Sequence, residues 1–113
     1  MYEYNARLIR VIDGDTIDCS IDLGFNINMN ERVRLKGINT PEIRTKDLEE
    51  KKKGLAAKDR VIELFEGIEK FIIKTELDKK GKYGRILGTI ILPEWSTSLN
   101  EILLKEGHAV VYK

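Results

Sequence analysis

The chain has 113 residues and a mass of 13.0 kDa, with 42% hydrophobic and 35% charged residues, which suits one domain with a modest core and a highly charged surface and excludes a disordered tail. With 20 Lys and Arg against 19 Asp and Glu, the formal net charge is +1, so only the distribution of charge bears on partners. One cysteine (Cys19) and one histidine (His108) exclude an internal disulfide, a cysteine metal cluster and any site needing two histidines, and the short apolar runs exclude a membrane-spanning helix.

Residues 6–12, 16–23 and 32–38 alternate apolar and polar side chains and predict three strands. In the second, Ile17, Cys19 and Ile21 fall on one face. Asp13-Gly14-Asp15 and then Leu23-Gly24-Phe25-Asn26 supply the turns between them. Thr40-Pro41 ends the third strand, since proline has no N–H for a ladder and biases its predecessor toward extended geometry. Residues 44–53 are charged without an apolar period and read as a mobile loop or a frayed helix start. Leu55, Ile62 and Phe65 recur near helical spacing, and Gly67 is a natural helix stop. Residues 71–77 and 85–92 predict two more strands, joined by a basic, glycine-containing turn. A second helix over residues 99–106 is announced by the Ser98-x-x-Glu101 capping box and closed by Gly107, and residues 108–113 form a short extended tail. Three strands, a helix, two strands and a helix in one short chain predict a mainly β domain over residues 1–113, a closed antiparallel five-stranded OB-fold barrel with two helices.

Four local features carry residue types that suit a phosphate. Asp13 and Asp15 flank Gly14 at a strand end, and carboxylate oxygens are hard ligands for Ca²⁺ or Mg²⁺; taken alone, the same residues make an ordinary hairpin turn. Arg34 offers a permanently charged guanidinium that forks onto phosphate oxygens, and Glu42, on a turn stiffened by Pro41, could act as a general base; in isolation they are a surface arginine and a turn glutamate. Lys82-Tyr83-Gly84-Arg85 could supply a second guanidinium, a lysine and an aromatic face, or simply keep a hairpin tip soluble. Tyr112 in the tail is another possible ring, with terminal packing as its plain alternative. Charge is segregated in support: residues 74–85 and 43–60 each carry net +3, whereas the first 31 residues hold six acids against Arg7 and Arg10.

In this order the features resemble the staphylococcal nuclease (thermonuclease) family. The matching pieces are Val11-Ile12-Asp13-Gly14-Asp15-Thr16, Arg34-Leu35 with Thr40-Pro41-Glu42, Lys82-Tyr83-Gly84-Arg85, Leu99-Asn100-Glu101 with Gly107, and Val111-Tyr112-Lys113. No one of them is specific, but five in the correct order, with the family's own spacing from Arg34 to Glu42, span nearly the whole chain. The resemblance implies an OB barrel and Ca²⁺-dependent hydrolysis of DNA and RNA phosphodiesters with little sequence preference, leaving 3′-phosphates. On that pattern Asp15 is a direct calcium ligand, with Asn39 and the Thr40 carbonyl as further oxygens. Glu42 is the general base, Arg34 and Arg85 hold the phosphate, Lys82, Tyr83 and Tyr112 contact substrate, and Asp13 orders the turn or metal-bound water.

Three departures from the family's pattern stand out. Asn39 occupies a position where the best-known members carry Asp, which removes one formal charge and predicts weaker or less selective calcium binding. The chain as given ends where such members continue into a third helix, which predicts lower stability, or association through an uncovered apolar patch. Gly81 stands where an acid is often seen, with only a local effect expected. The expected partners are DNA or RNA, single strands preferred, with no membrane, and the chain is expected to be monomeric. With no basic-then-apolar leader the chain as given reads as cytoplasmic, or as secreted if a leader has been removed. The competing readings are a catalytically inactive OB module that binds nucleic acid and an interaction domain; a carboxylate such as Glu42 beside a phosphate site favours the nuclease.

Overall fold

The computed structural model describes residues 2–77 and 85–112. Five strands close into a barrel in the order β1 (Tyr2–Asp13), β2 (Thr16–Asp22), β3 (Asn28–Leu35), β6 (Ile86–Ile91), β5 (Phe71–Leu77). Two short strands, β4 (Ile38–Asn39) and β7 (Val110–Val111), pair antiparallel beside it. The helices are α1 (Leu48–Phe65) and α2 (Leu99–Lys105), and no described helix is long and apolar enough to cross a membrane. The OB-type barrel with two helices matches the sequence expectation, with one correction: the barrel is mixed, not wholly antiparallel. β3 and β6 run parallel through Val33↔Ile86, Arg34↔Leu87 and Leu35↔Gly88, because α1 and β5 intervene and return the chain in the same direction.

Alternation fixes the interior. Ile17, Cys19 and Ile21 of β2 are buried as expected, and Val33, Leu35, Ile73 and Ile90 meet them from the neighbouring strands. β1 starts earlier than its local pattern suggests, because Tyr2 to Ala6 pair with β5 while the second half of the strand pairs with β2. Register shifts between Leu8 and Arg10 and between Val11 and Asp13 mark bulges that bend this long strand around the barrel. β3 also starts earlier: the polar stretch from Asn28 to Glu31 is held by β2, so the β2–β3 hairpin runs past the point where β6 begins its pairing.

Helix α1 begins at Leu48, within the stretch read as loop or frayed helix. Asp47 caps it by accepting from the Glu49 and Glu50 N–H groups, and those two acids oppose the positive end of the helix dipole. The buried stripe is Gly54, Ala57, Val61, Leu64 and Phe65; of the three residues that suggested the period, Phe65 is buried while Leu55 and Ile62 are partly exposed at its margin. Helix α2 starts as predicted, with Ser98 Oγ accepting from Glu101 N–H at 3.1 Å. Its buried Asn100 donates to the Lys36 and Gly88 carbonyls at 2.9 and 3.1 Å and accepts from Ile90 N–H at 3.2 Å, stitching the end of the parallel seam.

Candidate active site

The β1–β2 turn places Asp15 under the end of β3. Its backbone carbonyl accepts from Leu35 N–H at 2.8 Å, which ties the turn to the strand that carries Arg34. Both oxygens of the buried carboxylate have partners: Oδ2 lies 2.6 Å from Arg34 Nη1 and accepts from Thr40 N–H at 3.1 Å, while Oδ1 accepts from the Thr16 hydroxyl at 3.1 Å and keeps capacity for one more. Burial alone would raise the Asp15 pKa. The hydrogen bonds from Arg34 and Thr40, the Arg34 charge and the Thr16 hydroxyl together outweigh it and hold the carboxyl below its ordinary value. Asp15 is therefore a carboxylate at neutral pH.

Arg34 is held on three sides. Besides Asp15, its Nη2 donates to the Ile38 carbonyl at 3.2 Å and to Asn39 Oδ1 at 3.1 Å, and the guanidinium carbon sits 5.4 Å from the centre of the Tyr112 ring. The short β4–β7 ladder explains how Tyr112 arrives: Asn39 pairs with Val110, Ile38 with Val111, and Tyr112 N–H donates to the Gly37 carbonyl at 2.9 Å. The tail residue is thus brought to the first arginine. Asp13 lies half-buried at the end of β1, across the same turn from Asp15.

Glu42 follows Thr40 by one proline, and its side chain is exposed. Its backbone is fixed by α1 at a position the sequence reading passed over. A Cβ on Gly54 would come within 2.7 Å of the Pro41 carbonyl oxygen and 2.9 Å of that of Glu42, so only glycine lets the helix lie against this turn. One helical turn on, Ala57 does the same for the other loop: a Cβ on Gly14 would lie 2.8 Å from Ala57 Cβ and 3.0 Å from Thr40 Cγ2. Helix α1 is the platform on which the Asp15 turn and the Glu42 turn rest side by side. A small-x-x-small pair inside a charged helix is the one local sign that could have revealed it.

Arg34, Arg85 and Tyr112 line one cleft of about 950 Å³. Arg85 comes from the residue before β6, so the parallel β3–β6 seam carries both guanidinium groups to the same opening. Neither Glu42 nor Asp15 lines the cleft itself: Asp15 is tied to it through Arg34, and Glu42 follows two residues after Thr40, whose N–H Asp15 accepts. Lys82, Tyr83 and Gly81 lie outside the described residues.

The donors here suit a hard cation. Asp15, the Asn39 amide oxygen and the Thr40 carbonyl offer oxygen only, which is the ligand class of Ca²⁺ and Mg²⁺. Among the described residues no group of three or more His, Cys, Asp or Glu converges, so a cation here would complete its shell from carbonyl, amide, water or phosphate oxygens.

Comparison with known proteins agrees with this geometry. Residues 32–113, well over half of the chain, match the family described as staphylococcal nuclease homologue. The chain is also 29% identical over 115 residues to Endonuclease YhcR of Bacillus subtilis (strain 168), covering 97% of this chain but only 9% of that protein.

Proposed function

This chain belongs to the staphylococcal nuclease homologue family, and on that premise we propose that it is a metal-dependent nuclease that hydrolyses phosphodiester bonds of DNA and RNA with little sequence preference and leaves 3′-phosphates. The observation that carries the reading is the pairing of Arg34 with Asp15 at one end of the cleft that Arg85 also lines. Two arginines from distant strands then face one anion.

Hydrolysis puts additional negative charge on the phosphoryl oxygens as water attacks. Arg34 and Arg85 neutralise that charge, and Arg34 does so without reorganising because Asp15, Ile38 and Asn39 already hold its fork. Glu42 takes the proton from the attacking water, on a turn held in place by Pro41 and the close approach of Gly54. Asp15, Asn39 and the Thr40 carbonyl would hold Ca²⁺, which when bound supplies Lewis-acid stabilisation of the phosphate. With the neutral Asn39 amide where an acid would add a charge, the site binds it weakly. Tyr112, stacked beside Arg34, offers a ring to a sugar or base, and Lys82 and Tyr83 are proposed as further substrate contacts. Since these groups address phosphate and ring faces, single strands are preferred and sequence is barely read.

The test is digestion of single-stranded DNA with Ca²⁺, with chelator, and with Glu42→Gln. Cleavage in Ca²⁺ that disappears in chelator and drops about 100-fold in Glu42→Gln is expected. Undiminished cleavage in chelator or in the variant overturns the mechanism, and salt-dependent retention of DNA without cleavage makes the chain a binding module instead.

A further inference from the structure

The cleft does not end at the arginines. It continues over the rim of the β3–β6 seam into the open mouth of the barrel, where its lining turns apolar and aromatic. The register explains why these surfaces meet. Pairing of β3 with β6 begins only at Val33 and Ile86, while β3 itself starts at Asn28 and stays paired with β2. The advance of the hairpin beyond the seam leaves Leu23 and Met29 standing over the mouth. β1 brings Tyr2 and Tyr4 to the same end, since Tyr2 pairs with Thr75 and Ala6 with Ile21. Three of them are open: Tyr2 is 70% and Met29 46% exposed, and Leu23 is similarly open, while Tyr4 is half-buried against the core and forms the floor.

A surface with guanidinium groups at one end and tyrosine, methionine and leucine at the other has the polarity of a nucleotide. We infer that the barrel mouth is a base subsite: with the phosphate at Arg34 and Arg85, one unpaired base of the strand inserts over the rim against Tyr2, Tyr4, Leu23 and Met29. It rests on the nucleic-acid reading above and adds a second contact to that of Tyr112, from different residues of the same cleft. Charge complementarity and continuity with the candidate active site select this occupant. A duplex cannot supply it, because its bases are stacked and paired, whereas tyrosine faces and a polarizable thioether accept any exposed base.

The experiment measures binding of a fluorescein-labelled single-stranded tetranucleotide by anisotropy, in chelator and at low salt. The intact strand is compared with four versions in which one base at a time is replaced by an abasic sugar. One abasic position is expected to weaken binding to the wild-type chain about tenfold, the usual scale for one stacked base. In the double variant Tyr2→Ser with Met29→Ser, both at exposed positions, the intact strand binds about tenfold more weakly and that abasic penalty disappears. Abasic strands that all bind alike, or a penalty that persists in the double variant, overturn the subsite. An intact strand that fails to bind overturns it together with the reading beneath it. A base penalty without any cleavage in the digestion assay leaves the subsite standing and overturns the nuclease alone.

Discussion

Two aspartates three positions apart, Asp15 and Asp18, each meet arginine, and they show what location does to the same chemistry. Asp18 sits on the outer face of β2 between Arg10 and Arg32, its oxygens 2.9 Å from both Nε atoms; its own side chain is 14% exposed, but those of the two arginines that cover it are 65% and 59% exposed. Asp15 meets Arg34 at 2.6 Å with side chains only 9% and 15% exposed, and it also accepts from Thr16 and Thr40. The outer pair is a cross-strand ion network in water, where Coulomb attraction is weak and each side chain gives up rotamer freedom to join it. The inner pair has lost its solvent, so each partner needs the other. The same residue types therefore form a solvent-edged network in one place and a fixed, sheltered pair in the other, the pair on which the proposed phosphate site rests.

The largest effect expected from breaking this contrast follows Arg34→Ala. It leaves a buried carboxylate with only Thr16 and Thr40, so stability should fall by about 3 kcal/mol in urea denaturation. Cleavage should fall about 100-fold or more, whereas Arg32→Ala should leave digestion near the wild-type rate. Gly54→Ala comes next. The added methyl group meets backbone oxygens and must displace the Glu42 turn, so cleavage should drop about 10- to 100-fold while circular dichroism still reports a folded barrel.

Acid titration sharpens the comparison further. The folded-state pKa of Asp15 lies below its ordinary 3.8, so its contribution is complete above that value and is lost as the pH falls through the lower folded one. In Arg34→Met the burial that raises the pKa loses its main opponent, and the acid limb of the urea midpoint should move to higher pH. Asp18 is held low first by its hydrogen bond from Arg32, and raising the salt should erode its contribution more than that of the sheltered Asp15. The smallest effect concerns Cys19, next to Asp18. Burial first, then the charges of Asp18 and Glu31, push its thiol up to about 12. A thiol reagent should label Cys19 only on unfolding, and Asp18→Asn should leave that protection in place because burial dominates.

The meeting of Asp15 with Arg34 and Thr40 was legible because short, ordered motifs carry them and the strands between keep a period of two. The helix beneath them was legible as a helix, but its supporting face was not. Of the apolar residues that suggested its period, Phe65 is buried while Leu55 and Ile62 are partly exposed, and the face that meets the two turns is Gly54 and Ala57, small residues that matter through close approach rather than hydrophobicity. The parallel seam was also hidden. Nothing local in Arg34-Leu35 tells of Leu87 and Gly88, nor that Asn100 would bond three backbone groups where that seam ends. The mouth of the barrel escaped notice because residues 28–31 look too polar to be strand, and their pairing with β2 is decided by the partner.

The parallel seam sets an order of events during synthesis. A nascent chain that has reached only the end of β5 can form the β1–β2–β3 meander, yet it holds no strand able to bridge β3 and β5. Closure waits for β6, and Asn100 can clasp the joint only after α2 has left the ribosome. Until then the edge of β3 is an open template for pairing with a strand of a neighbouring chain.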